Sequence, residues 1–508
     1  MSGSAFLTNK YKKAIIQSRI IHSMLEDIRG ERIKKLDALK KTNRNPYPSS
    51  SGRDHLISEV LGAFILLEES KKPVVIAGRI FSLREHGGIV FADLFDGTGK
   101  IQILFKKDAL GEELYDAFMS MVDIGDFIDV SGICFVTKRG EKTIEARAWS
   151  VLTKALLPLP EKWHGLQNTE ERYRKRYLDI LMNDTARDLF QKKARFWKSI
   201  RDFMHAHGFM EVETPILEAS PGGADAEPFI THLNALDIDL YLRISPELSL
   251  KRLLVAGFDK IFEIGRIFRN EGIDREHLQD YTQLEFYWAY ANYQNLKPFV
   301  EALYKKAVID TLGTSTHTWN ETVIDWGKKW EEYDYFECVK EKLGIDLRSI
   351  SEMHLRAEAK KLGLEPQKHL GRGRVIDLIF KKAVRPYLIQ PGFLINPPID
   401  IEPLAKRMSD DPSRVERIQV VACGTELGKG FSELNDPIDQ RTRMEEQVRL
   451  IEAGDKEAQR LDEGFIEALE YGMPPAAGFG LSERFFSIIM NESVRETTFF
   501  PLMRPHKP

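Results

Sequence analysis

Residues 260–292 read KIFEIGRIFRNEGIDREHLQDYTQLEFYWAYAN, and this stretch decides the fold. Apolar and polar residues alternate from Ile261 to Glu271 and again from Tyr281 to Ala289, around a polar loop from Gly272 to Asp280. Successive strand side chains point to opposite faces, so the pattern predicts two strands joined as an antiparallel hairpin. One parity holds Phe262, Ile264 and Phe268, then Thr282, Leu284, Phe286 and Trp288, which is a core face. The other holds Glu263, Arg269 and Glu271, then Tyr281, Glu285 and Tyr287. Acids, an arginine and phenols on one sheet face describe a cleft for a planar ring and a cationic group. The plainer alternative is a solvated sheet face.

Three other segments carry chemistry. Leu242-Arg243-Ile244-Ser245-Pro246-Glu247 ends a short strand with a carboxylate. Cys423 to Glu433 places Glu426 and Glu433 seven residues apart among three glycines. Glycine admits close backbone approach, and paired acids hold Mg²⁺ beside phosphates. Gly478-Phe479-Gly480-Leu481-Ser482-Glu483-Arg484 ends in an arginine suited to phosphate. Upstream, Asn183 or Asp184 caps a helix whose apolar face is Leu189, Phe190, Phe196, Trp197, Ile200, Phe203 and Met204, with Gly208 ending it. Phe209 to Pro215 then leaves as an extended segment.

The N-terminal third has a different texture. Five short strands with glycine-containing turns fall between Pro73 and Glu145, with one helical stretch from Gly111 to Met121. This spacing predicts an OB-like barrel, a fold that binds single strands by stacking and by reading base edges. Arg84, Phe91, Gln102 and Glu141 could supply those contacts, and Phe91 could equally be plain barrel core. Residues 1–50 carry eleven Lys/Arg against four acids, with Ile15, Ile16, Ile20, Ile21 and Met24 at helical spacing. That helix suits either phosphate contact or simple solvation.

The organisation expected is an α+β multidomain chain. It comprises a basic helical extension (1–72), an OB-fold barrel (73–155), a linker (156–180) and a large domain (181–508) with a helical insertion at about 330–400. A length of 508 residues requires more than one core. The net charge of −4 confines any nucleic-acid surface to local patches. There is no signal-peptide pattern or membrane-length apolar run, so the expected location is cytoplasmic. Cys134, Cys338 and Cys423 show no metal-ligand spacing and read as small buried or half-buried residues.

From about residue 20 onward, the order of these motifs resembles class II aminoacyl-tRNA synthetases of the bacterial lysyl type. The helix to Pro215, Phe268-Arg269-Asn270-Glu271 with its strand, and Gly478 to Arg484 look like the three class motifs. Narrower similarities include Asn45-Pro46-Tyr47-Pro48, Thr153-Lys154-Ala155-Leu156, Pro221-Gly222-Gly223-Ala224 and Phe431-Ser432-Glu433-Leu434-Asn435-Asp436.

The resemblance implies a class II antiparallel sheet flanked by helices, and ATP-dependent attachment of L-lysine to tRNA(Lys) with Mg²⁺. It also implies a homodimer through the Pro215 region and no membrane partner. By position it assigns Arg269, Glu271, His277, Tyr281, Glu426 and Arg484 to ATP, with Arg269 and Arg484 catalytic and Glu426 on the metal. Gly223, Glu247, Arg269, Glu285, Tyr287, Phe431 and Glu433 fall to lysine, and Arg84, Phe91, Gln102 and Glu141 to the anticodon.

Several positions depart from the family pattern. Gln419 stands where a second metal-binding acid is usual, Lys429 where asparagine is usual, and the third motif is one residue short. On a regular strand Lys429 shares parity with Phe431 and Glu433. Either a glycine bulge turns it away, or it contacts a phosphate or a carboxylate. The alternatives weighed are an aspartyl- or asparaginyl-type enzyme, a relative that attaches lysine to protein, and a non-catalytic RNA-binding protein. Glu247 and Glu433 oppose the first, the barrel the second, and retention of Arg269, Glu271, Glu426 and Arg484 the third.

Overall fold

The computed structural model describes residues 23–42, 44–160, 166, 168–272, 274–367, 370–455 and 458–505. Ile15, Ile16, Ile20 and Ile21 and the first cations of the N-terminal segment lie outside these. The chain divides into two compact units, 1–166 and 167–508.

In the first unit, β1 (Val74–His86), β2 (Ile89–Phe95), β3 (Lys100–Lys106), β4 (Phe127–Val136) and β5 (Lys142–Thr153) close into a barrel of order β1-β2-β3-β5-β4. Alternation sends Val90, Ala92, Leu94, Ile101, Ile103 and Phe105 inward to a core shared with Ile76, Ile128, Val130 and Ile144. The helix over 23–41 is tied to the barrel by Arg32, which donates to the carbonyls of Ile124, Ala155 and Leu157. Lys154, fully buried, is held by Asp123 and by Asp126 at 2.8 Å, while the Tyr47 hydroxyl donates to the Lys154 carbonyl at 3.0 Å. Two of the short lysyl-type motifs therefore meet in one structural clasp.

The second unit contains β6 (Met210–Glu211), β7 (Leu217–Glu218), β8 (Ile230–Leu233), β9 (Ile238–Leu242), β10 (Lys260–Phe268) and β11 (Asp280–Ala289). Then follow a small hairpin of β12 (Thr316–Trp319) and β13 (Thr322–Asp325), β14 (Glu331–Asp334), β15 (Gly392–Ile395), β16 (Arg417–Ala422), β17 (Thr425–Ser432) and β18 (Ala476–Ser482). The main sheet has the order β14-β15-β16-β17-β18-β11-β10-β6. It is antiparallel except at its two edges, β14 with β15 and β10 with β6.

The β10–β11 hairpin has the parity expected from the sequence, with Glu263 opposite Glu285 and Phe262 opposite Phe286. Phe262, Leu284 and Phe286 pack with Phe479 and Leu481 of β18 on the core face. That face is covered by the helices Asp184–Ala206 and Tyr293–Leu312. Asn183 caps the first of these, its side chain accepting from the amides of Thr185 and Ala186.

Two readings are sharpened. Glu247 does not terminate a strand: β9 stops at Leu242, and Glu247 opens the helix Glu247–Val255 after Pro246. The helical block at about 330–400 is bracketed by β14 and β15, both strands of the main sheet. Between them run the helices Tyr335–Leu343, Glu352–Lys361 and Arg372–Ala383, which share a core with Leu394 and Val421.

Candidate active site

On the sheet face opposite the main core lies a cavity of about 610 Å³. All twelve residues assigned in this unit line it: Gly223, Glu247, Arg269, Glu271, His277, Tyr281, Glu285, Tyr287, Glu426, Phe431, Glu433 and Arg484.

A backbone irregularity makes this possible. Glu426 pairs with Val421 and Gly428 with Val420, so Leu427 is an extra residue in β17. Leu427 is buried in the core, and its carbonyl accepts from the Tyr304 hydroxyl at 2.8 Å. On a regular strand Glu426 would face away from Lys429 and Phe431, being an odd number of residues from each. The bulge returns it to the cleft face.

One end of the cavity suits an anion. Arg269 follows β10 directly; its Nε donates to the Ile244 carbonyl at 3.3 Å and its guanidinium lies 5.6 Å from the Tyr281 ring centre. Arg484 donates to the Glu276 carbonyl at 3.3 Å, and the Thr425 hydroxyl bonds the Glu276 carboxylate at 3.2 Å, so the loop after β10 is pinned from across the cleft. His277, half-exposed, bonds Asp274 at 2.6 Å. Lys381 and Arg385, from the helical block, also line this cavity.

Lys429 keeps its place on the cleft face and pairs with Glu402 at 2.9 Å, a carboxylate that also takes Arg417 at 2.9 Å. Arg417 in turn bonds the Gln419 carbonyl oxygen, and the Gln419 amide bonds Glu426. Burial opposes the Glu426 charge, but Lys429, Arg417 and Arg484 outweigh it and hold its pKa below the usual range.

The other end is acidic and closed. Glu285 accepts from Gln283 at 2.6 Å, Ser245 at 2.7 Å and the Tyr287 hydroxyl at 3.1 Å. Burial, then the neighbouring Glu247, pushes its pKa to about 7. Gly223 sits at φ +81°, where an added Cβ would meet Glu247 Cβ at 2.8 Å and Ser245 Oγ at 3.0 Å. Only glycine leaves this wall open.

Glu433 is 1% exposed, and its Oε1 has no hydrogen-bond partner among the described residues. Behind Glu247 and Glu433 stands Lys251, at 2.7 Å from Glu247 Oε1 and in an ion pair with Glu433 Oε2. Sequence reasoning passed over Lys251, although its spacing from Glu247 is that of a helical i,i+4 pair. It also passed over Gln283, Ser245, Arg417 and Glu402.

In the barrel, Arg84 lies opposite Phe91 and Asp93 opposite Gln102, which puts all four on the outer face. Phe91 is therefore not barrel core; the residues flanking it, Val90 and Ala92, are. Asp93, unforeseen, anchors Arg84 at 3.2 Å. Gln102 accepts from the Thr143 hydroxyl, which also bonds the carbonyl of exposed Glu141.

A mainly antiparallel sheet bearing a cleft that is cationic at one end and acidic at the other, in a chain that also carries an OB barrel, defines a class of enzyme. The family model of class II tRNA synthetases (D, K and N) matches residues 168–504, and that of the OB-fold nucleic acid binding domain matches residues 74–152. Within that class, the chain is 43% identical over 488 residues to the lysine–tRNA ligase of Pelotomaculum thermopropionicum, covering 95% of this chain and 96% of that one. It is 42% identical to the lysine–tRNA ligase of Carboxydothermus hydrogenoformans, over 95% and 99% of the two chains. The corresponding protein of Thermotoga maritima is 41% identical over 95% and 97%. The chain belongs to the lysine–tRNA ligases, and its activity is that of an ATP-dependent ligase.

Proposed function

We propose that the cleft condenses L-lysine with ATP to lysyl-adenylate, releasing pyrophosphate, and passes the lysyl group to the 3′-terminal ribose of tRNA(Lys). The observation that carries this reading is the closed acidic end, where Glu247, Glu285 and Glu433 line the cavity beside the Tyr287 phenol. An ammonium leaves water only for anionic partners. A substrate lacking it would leave buried carboxylates unpaired, which is a strong basis for rejection.

The lysine carboxylate is already a nucleophile, so no general base is needed for its attack on the α-phosphorus. Arg269 and Arg484 neutralise charge building on the phosphates and hold the reactants in line. His277 reaches the pyrophosphate, Tyr281 and Glu271 take the adenine ring and its amino group, and Gly223 with Glu285 holds the α-ammonium. Glu433, Glu247, Tyr287 and Phe431 enclose the ε-ammonium.

Glu426 fits a Mg²⁺ held chiefly by nucleotide phosphates, since one of its oxygens is engaged by Gln419 and no group of three or more His, Cys, Asp or Glu side chains among the described residues could cage a metal. When bound, the ion would supply further charge neutralisation at the phosphates.

Arg84, Phe91, Gln102 and Glu141 serve the anticodon: a ring on the outer barrel face beside polar groups suits an unstacked base. Exposed Met210, Ile216 and Leu217, flanking Pro215, support a homodimer through that region. No helix among the described residues is long and apolar enough to cross a membrane, and the three cysteines are free, which fits a reducing cytoplasm. Lysine-dependent ATP–pyrophosphate exchange tests the reading; exchange driven by another amino acid and not by lysine would overturn it.

A further inference from the structure

The two acids that face the substrate ammonium already share a cation of the chain itself. Lys251 is completely buried and does not line the cavity, whereas Glu247 and Glu433 both do. The acids therefore stand between the cavity and Lys251. One helical turn from Glu247, the Lys251 ammonium takes Glu247 Oε1 at 2.7 Å and Glu433 Oε2, with the Phe431 and Phe465 rings 5.4 and 5.8 Å away. Glu433 Oε1 has no hydrogen-bond partner among the described residues.

We infer that Lys251 is a positioning residue for amino-acid binding: a fixed counter-cation that holds the inner carboxylate oxygens and so leaves one outer site for a single substrate ammonium. This rests on the lysine reading above. Charge supports it. The two buried carboxylates Glu247 and Glu433 share one fixed cation, Lys251, which leaves one formal negative charge for the single ammonium they face. Without Lys251 the pair would carry two, and both buried acids would take protons, one of which must leave when the substrate ammonium arrives.

The groups facing the pair pull in both directions. Burial disfavours the Lys251 charge, but Glu247 and Glu433 outweigh it and raise its pKa. Burial raises Glu433 well above the carboxylate range; Lys251 opposes this, while Glu247 and Glu285 add to it. Glu247 is raised by burial, with Lys251 and Lys429 opposing and Glu402 adding. Tyr287, bonded to Glu285, stays a neutral phenol.

The test uses the full chain and L-lysine as the probe, titrated calorimetrically at neutral pH in two buffers of different ionisation heat. Lys251→Met keeps an unbranched chain of similar length and removes the charge. It is expected to release about one more proton per lysine bound than the parent, and to bind lysine roughly tenfold more weakly, because a proton must leave first. ATP affinity should hold. A folded Lys251→Met protein with the parent's proton count would overturn the inference and leave Lys251 a packing residue. If that variant does not fold, adding Glu247→Gln, which removes one acid along with the cation, should restore folding and the parent's proton count. Failure of the pair to fold would likewise overturn it. A parent that takes up no lysine would overturn the substrate reading, and this role with it.

Discussion

Replacing Glu433 by glutamine tests the acidic end most directly, because it changes one charge and almost no volume. Glu433 is 1% exposed, and its Oε1 has no hydrogen-bond partner among the described residues. In the parent, a substrate ammonium meets a carboxylate oxygen free to accept. In Glu433→Gln the same position holds a neutral amide, and its NH₂ must point at one of two ammonium groups, that of lysine or that of Lys251. Removing one partner of a buried, hydrogen-bonded charge pair costs about 2–5 kcal/mol. About 3 kcal/mol corresponds to a loss of roughly a hundredfold in lysine affinity, since each 1.4 kcal/mol is tenfold. The cationic end with Arg269 and Arg484, proposed for ATP, is untouched, so nucleotide should bind as before. Lysine titrated in ATP–pyrophosphate exchange, with nucleotide binding measured alone, reads both quantities. Lysine affinity within about threefold of the parent would remove Glu433 from the ammonium site, because so small a change lies well below the cost of an unpaired buried charge.

Other consequences follow from the same geometry. The Glu285 pKa, raised to about 7, lies above its unfolded value, so the ligand-free fold binds the extra proton. The stability this residue contributes is therefore present at low pH and lost as pH rises from about 4.5 through about 7, and thermal unfolding across that window should show it; Glu285→Gln should flatten the trend. On the proposal that the ionised form receives the α-ammonium, kcat/KM for lysine should rise with pH to a plateau above about 7, falling roughly tenfold per unit below it; a flat profile in the parent would refute this. Gly223→Ala places a Cβ at 2.8 Å from Glu247 Cβ on a backbone of φ +81°. It should cost about 1–3 kcal/mol in lysine binding or stability, read by exchange kinetics and melting; parent-like values in both would refute the close-approach argument. Phe91→Ala should lower the efficiency of tRNA charging by about 1–3 kcal/mol of lost stacking and leave pyrophosphate exchange intact. A matching fall in both would refute a role confined to the anticodon.

Much of the sheet was legible because strand parity is a local property. Phe262, Leu284 and Phe286 against Glu285 and Tyr287 show in the sequence which face is core and which is cleft, and the β10–β11 register agrees. The barrel strands were legible for the same reason. The outward side of Phe91 was equally implied by the alternation of Val90 and Ala92, but only the closed barrel shows which parity is enclosed.

The site itself was legible only in part. Glu426 and Glu433 could be read as acids near glycines, but an odd spacing on a regular strand sends Glu426 away from Phe431. The Leu427 bulge that brings it back is hydrogen-bonded by Tyr304, more than a hundred residues away in sequence, and no local pattern reports such a contact. The same holds for Lys429, whose partner Glu402 lies outside its strand, and for the helical block whose Lys381 and Arg385 reach the cavity.

By itself, then, the sequence determined the elements, their faces and the residue types gathered at the cleft, because alternation, capping and turn chemistry act over a few residues. The tertiary structure decided which charges meet. Lys251 with Glu433, and Arg417 with Glu402, are pairings between separate segments. Their strength comes from burial, which exists only once the chain has folded around them.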